Sequence, residues 1–102
     1  MKAKIHSRTH SGGTTVILAI CDTKLLGKKF EGKGIVLDLK KYKSFYDGEK
    51  INEEKAVSLI KEYKNLNLVG EKAIKAAKKA LKLTKTNVKR IKGVPHLQVY
   101  YM

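Results

Sequence analysis

The sequence predicts an α+β fold: an N-terminal β-hairpin and a mixed or antiparallel sheet, packed by two helices from the C-terminal half, with a final C-terminal strand. Three observations carry this prediction. Apolar residues alternate at period two near both ends of the chain, they recur at helical spacing across two stretches in its second half, and glycine-containing turns punctuate the first half. At 102 residues the chain has the usual length of one domain, 1–102. A chain of this size buries about two thirds of the surface its unfolded form exposes, so it needs no metal or disulfide staple.

Lys2-Ala3-Lys4-Ile5-His6 alternates as a first strand, Ser11-Gly12-Gly13 supplies a turn, and the β-branched run from Thr14 to Cys21 supplies a second strand. The chain therefore opens on a hairpin. Val16–Cys21 is the longest apolar run, far short of the ~20 residues of a membrane-spanning helix, and reads as a buried strand. Asp22 is placed to cap a short helical turn, Thr23–Leu26, that Gly27 ends. Gly34 to Leu39 forms a third strand, and Tyr42 to Gly48 an aromatic-rich loop. Asn52 caps a helix from Glu53 to Lys64, whose Ala56, Leu59, Ile60 and Tyr63 share one face and whose acidic first turn suits the helix dipole. Asn65 to Gly70 reads as a short linker. A second helix follows from Glu71 to Leu83, rich in Ala, Leu and Lys with no Gly or Pro to interrupt it. Asn87–Lys92 alternates as a strand with Val88 and Ile91 inward, broken by Gly93, and His96–Tyr101 closes the fold as a last strand. No internal repeat, low-complexity tract or inter-domain linker stands out.

Charge carries the functional information. The chain has 23 Lys and Arg against 9 Asp and Glu, a formal charge of +14. Such an excess concentrates polyanions, so the expected partner is nucleic acid rather than an anionic membrane. Ion-pair networks of the thermophile kind would instead bring balanced charge. The excess is local: all nine acidic residues lie in residues 1–71, while residues 72–102 carry nine Lys and Arg and no carboxylate side chain. On the second helix Ala73, Ile74, Ala77, Ala80 and Leu81 share one side, and Lys72, Lys75, Lys78, Lys79 and Lys82 the other. Like charges at this spacing repel by a few tenths of a kcal/mol per neighbour, a cost that a polyanion relieves. The plainer reading is a solvated face. The bias continues through Lys85, Lys89, Arg90 and Lys92, and Arg90 has the planar fork suited to phosphate. Tyr42, Phe45 and Tyr46 lie among Lys40, Lys41 and Lys43, a mixture of ring faces and cations that suits single-stranded RNA, or equally a loop packed onto the core.

Other chemistry is poorly supported. His6, His10, Cys21 and His96 offer zinc-type ligands, yet there is no C-x-x-C and four residues along a strand are far apart. No metal or cofactor is expected, and Cys21 reads as a small buried hydrophobe. A Cys21–His96 nucleophilic pair lacks any visible orienting group or oxyanion hole. Asp22, Asp38, Asp47, Glu49 and Glu71 are scattered and read as caps and turn residues. Ser11-Gly12-Gly13-Thr14 and Lys33-Gly34 lack the phosphate-cradling G-x-x-x-x-G-K-[ST] pattern. A single cysteine and the lack of a basic stretch leading into a long apolar core point to the cytoplasm.

Four blocks together, Cys21-Asp22-Thr23-Lys24-Leu25-Leu26-Gly27-Lys28, Phe45-Tyr46-Asp47-Gly48-Glu49, Asn67-Leu68-Val69-Gly70-Glu71 and Gly93-Val94-Pro95-His96-Leu97-Gln98, resemble the archaeal domain-of-unknown-function family numbered 424. The resemblance spans nearly the whole chain. It implies an association with translation and supplies no catalytic residues. The expectation is a non-enzymatic RNA-binding protein of the translation apparatus, seated on a ribosomal subunit among ribosomal RNA and neighbouring ribosomal proteins. Its phosphate contacts would come from the lysine helix together with Lys85, Lys89, Arg90, Lys92, His96, Lys40, Lys41 and Lys43. The rivals are a protein-binding adaptor for a translation or assembly factor and a small RNA- or nucleotide-acting enzyme with His96 as acid or base.

Overall fold

The computed structural model describes residues 1–82 and 88–100. Strand β1 (Lys2–His10) pairs antiparallel with β2 (Gly13–Cys21) in unbroken register from Lys2 opposite Cys21 to His10 opposite Gly13. The expected hairpin is present, with a longer first strand and a two-residue turn at Ser11-Gly12. Thr23–Leu25 forms a single 3₁₀ turn, ended by Gly27 at φ +84°. Strands β3 (Lys29–Gly32) and β4 (Ile35–Asp38) then make a small separate antiparallel sheet. Only the second of these was anticipated. Inside the expected aromatic loop a one-turn helix, α1 (Lys43–Tyr46), precedes the two-residue β5 (Glu49–Lys50).

Helix α2 (Glu53–Glu62) begins where Asn52 Oδ1 accepts from the Lys55 N–H at 2.9 Å, as a side-chain cap should. The stretch after it is no linker. Asn65–Val69 is strand β6, parallel to β2 and antiparallel to β8, and lies in the interior of the main sheet. Helix α3 (Glu71–Ala80) follows; it stops short of the expected end because Leu81 is already extended at φ −133° and ψ 155°, so Lys82 lies past the helix, and β7 (Val88–Ile91) and β8 (Val94–Val99) come after it. The six-stranded sheet runs β5-β1-β2-β6-β8-β7, and β2 with β6 is its parallel pair. The architecture is α+β, a mixed sheet packed by helices.

Both sheet faces are covered, which explains the nearly continuous apolar run of β2. Leu18 and Ile20 of β2, Leu66 and Leu68 of β6 and Leu97 of β8 pack against Ala56 and Ile60 of α2 and Ala73, Ile74 and Ala77 of α3. The intervening residues Ala19, Cys21, Val69, Ile91 and Val94 pack on the opposite face, under Leu25, Leu37, Leu39 and Tyr46. At about 25 cal/mol per Å² of apolar area, each large side chain buried here stabilises the fold by roughly 1.5–3 kcal/mol. Val88 and Ile91 are both inward, one toward each core.

Candidate functional site

The lysine helix is set in place by a residue fifty positions away. Asp22, only 2% exposed, accepts from the backbone N–H of Lys72 at 3.0 Å and of Ala73 at 2.9 Å. Its carboxylate makes no side-chain bond to the adjoining 3₁₀ turn, so the expected local cap is replaced by a cap on α3. Gly70 makes this approach possible. Its φ is +109°, and a Cβ there would lie 2.3 Å from the Asp22 Cγ. The N–H groups with which a helix N-terminus would hold an external phosphate thus already hold a protein carboxylate.

From that anchor α3 turns Ala73, Ile74, Ala76 and Ala77 inward, where small side chains let it lie close to the sheet and α2. Lys72, Lys75, Lys78, Lys79 and Lys82 are all exposed. Lys79 reaches Glu53 of α2 at 3.1 Å. Among the described residues, the ammonium groups of Lys72, Lys75, Lys78 and Lys82 have no ion-pair partner. The one carboxylate on the helix, Glu71, is taken by Arg90, whose Nη1 donates to Glu71 Oε1 at 2.6 Å and to the Gly93 carbonyl at 3.1 Å. Hydrogen bonding from Arg90 holds the Glu71 carboxyl below its ordinary pKa. One nitrogen of the Arg90 guanidinium is therefore engaged within the fold, on the Glu71 carboxylate and the Gly93 carbonyl.

The sheet divides the remaining candidates. Lys89 and His96 are register partners on the face away from the helices, and Lys40, Lys41 and Lys43 cluster around the start of α1 on that same side. Lys92 sits in the β7–β8 turn with φ +51°. Lys85 lies outside the described residues. The candidates thus form two surfaces on opposite sides of the sheet.

The second surface surrounds a cleft of about 330 Å³, lined by Leu37, Tyr42, Phe45, Asn67, His96 and Gln98 among others. Beneath it the Tyr46 O–H donates to Asn67 Oδ1 at 2.8 Å, and His96 Nε2 meets the same oxygen at 2.9 Å, so the neutral imidazole carries its proton on Nε2. Burial, and secondarily Lys89, hold the His96 pKa below its ordinary value. Phe45 stacks on His6 with ring centroids 4.2 Å apart and meets Tyr46 edge-on. Phe45 and Tyr46 therefore pack the core side, while Tyr42 is exposed with the Lys41 ammonium 5.4 Å from its ring centre. Asn67, the hub of this network, has no periodicity or capping signal in the sequence and is marked there only as part of a family-resemblance block. It stands in what reads as a linker.

Cys21 and His96 do not meet. Each is aligned with Val69, on opposite sides of β6, which sets their backbones about 9–10 Å apart. Burial, and then Asp22, push the thiol pKa up to about 12, so the nucleophilic thiolate is disfavoured. Among the described residues no three His, Cys, Asp or Glu side chains converge as a metal site.

The family model described as "Protein of unknown function (DUF424)" matches residues 9–102. No curated protein matches the chain. Among solved structures, an uncharacterized conserved protein from Methanopyrus kandleri is similar, with a TM-score of 0.77 and 30% identity, over 97% of this chain and 89% of that one.

Proposed function

The chain belongs to the DUF424 family, and from that premise we propose that it is an RNA-binding protein that holds the phosphates of folded RNA on the lysine face of α3. The observation that carries this reading is the row Lys72, Lys75 and Lys78 on α3, with Lys82 two residues past its end: four exposed ammonium groups without an ion-pair partner among the described residues. Mutual repulsion along such a row is relieved by a polyanion. Phosphate contacts supply affinity and orientation with little sequence preference, so the shape of the RNA provides specificity. The partner proposed is ribosomal RNA, in the company of ribosomal proteins, and the location proposed is the cytoplasm. Among the described residues no helix is long and apolar enough to cross a membrane. No catalytic role is assigned.

Salt dependence tests this reading. Neutralising about four phosphates gives a slope of about −3 in log K against log salt, between the single-strand and duplex limits. The variant Lys72→Gln/Lys75→Gln/Lys78→Gln/Lys82→Gln should bind more weakly and with a shallower slope. A variant that binds RNA as the parent does removes α3 as the site, and a parent protein indifferent to RNA favours the adaptor.

A further inference from the structure

Strands β1 and β2 outrun the sheet they belong to. On one side β5 pairs with β1 only at Lys2 and Ala3, and on the other β6 pairs with β2 only from Ile17 to Cys21. Four further pairs, from Ser7 opposite Val16 to His10 opposite Gly13, continue as a bare two-stranded ribbon about 13 Å long, with the Ser11-Gly12 turn at its tip. Ser7 to Thr14 are all exposed. The ribbon is nonetheless held in shape. The Gly12 N–H donates to His10 Nδ1 at 3.2 Å, which leaves the proton on Nε2 to be donated to Thr15 Oγ1 at 2.7 Å. At the base Asn65 Nδ2 donates to the Val16 carbonyl at 3.3 Å.

Alternation continued outward from Leu18 sends Ser7, Thr9, Thr14 and Val16 to the helix side of the sheet, and Arg8, His10 and Thr15 to the other. On the helix side the ribbon meets a step. β6 begins at Asn65, directly after α2, and a groove of about 340 Å³ between Tyr63, Lys64, Leu66, Leu81 and Val99 shows that α2 and α3 both end there. Lys61, Lys64 and Lys82 are exposed at these helix ends, where cations suit the dipoles, and Glu62 stands beside Lys61. The result is a ribbon face of three hydroxyls and Val16 beside the ammonium groups at the ends of α2 and α3. Exposed edge strands are ordinarily guarded by Lys, Pro or a bulge, and within this ribbon the guard is Arg8 alone.

We propose that this step is a seat for double-helical RNA, resting on the RNA-binding reading and adding selectivity to it. Ser7, Thr9 and Thr14 face the wide, shallow minor groove of an A-form helix, where ribose 2′-hydroxyls both donate and accept hydrogen bonds. Lys61, Lys64 and Lys82 take the adjoining phosphates, which continues the positive surface of α3 around its C-terminal end. The lysines bind DNA and RNA alike. The hydroxyls tell them apart.

The test is competition between an RNA duplex and a DNA duplex of the same sequence at one salt concentration, read by fluorescence anisotropy. The parent should prefer RNA by about tenfold or more, the combined worth of two or three hydrogen bonds. Ser7→Ala/Thr9→Val/Thr14→Val keeps the shape and strand preference of the ribbon and should bind both duplexes within about twofold of each other, with the salt slope unchanged. The four-glutamine variant of α3 should lose affinity for both. Equal binding by the parent, or a preference that survives the hydroxyl substitutions, overturns the proposal while leaving the α3 site standing. Failure of the parent to bind any nucleic acid overturns both. Dimerisation of the parent through the ribbon edges, seen by light scattering and abolished by Thr9→Pro/Thr14→Pro, which removes N–H groups that point out of the ribbon and leaves its internal ladder intact, assigns the ribbon to a second copy of the chain and likewise overturns it.

Discussion

Asp22→Ala removes the group that joins the end of β2 to the start of α3. Two backbone N–H groups, of Lys72 and Ala73, lose their acceptor at a position where Asp22 is 2% exposed and water cannot readily replace it. A lost N-cap costs about 0.5–2 kcal/mol, and each buried donor left unpaired about 1–3 kcal/mol. These overlap, because the cap is made of those same bonds. A net loss of about 3 kcal/mol is expected, a large part of the 5–15 kcal/mol typical of a domain. For a chain of this size that lowers Tm by roughly 15 °C. Asp22→Asn keeps the shape and one acceptor oxygen but turns an amide toward the second N–H, so it should cost about half as much. Urea unfolding followed by far-UV circular dichroism measures both, with the m-value expected to stay at that of the parent. A loss below about 1 kcal/mol for Asp22→Ala, or an Asn variant as damaged as the Ala variant, refutes the argument that this carboxylate caps α3.

Three further outcomes follow from the same geometry. The His96 pKa is lowered in the folded state, so the unfolded chain takes up a proton first as pH falls: stability should be full above about pH 7, decline as pH drops through the unfolded value near 6.5, and level off once the native imidazole also protonates. Urea midpoints between pH 5 and 8 for the parent and His96→Gln measure this, and an unchanged profile in the variant contradicts it. Cys21, fully buried and with its thiol pKa pushed up to about 12, should resist a thiol reagent at pH 8 in the native protein and react at once in urea. Native labelling at the rate of a free thiol refutes that placement. Because Arg90 is held by Glu71 and the Gly93 carbonyl, Arg90→Ala should weaken RNA binding less than Lys75→Ala, while Glu71→Gln, which adds net positive charge beside the lysine row, should tighten it; the reverse ranking in a filter-binding assay makes Arg90 a direct contact.

Much of this fold is legible in the sequence, and the failures share a cause. The hairpin, the α2 cap at Asn52 and the two faces of α3 depend on neighbours a few residues away, and period and capping residues report them faithfully. Asn65–Val69 misleads because two asparagines in five residues look like a turn, whereas Asn67 is tolerated in a buried strand only because Tyr46 and His96 both donate to its side-chain oxygen. Asp22 misleads in the same way: a local reading gives it to the nearest helical turn, while its partners lie on α3. Strand β3 is four residues long, with Lys29 and Glu31 alternating with Phe30 and Gly32, too short a pattern to stand out. For the site, the lysine face of α3 is visible from helical periodicity alone. That Arg90 is already paired and that Lys89 and Lys40 lie across the sheet from that face both follow from tertiary pairing, which charge counting does not see.

The central claim is that RNA phosphates lie on the outer face of α3, and backbone amide mapping tests it most directly. In a ¹⁵N-labelled sample titrated at low salt with a folded ribosomal RNA fragment, perturbed amides should concentrate at Lys72, Lys75, Lys78, Lys79 and Lys82, and fade together as salt is raised. Perturbations confined to Tyr42, Phe45, His96 and Gln98, or none at any residue, would contradict it.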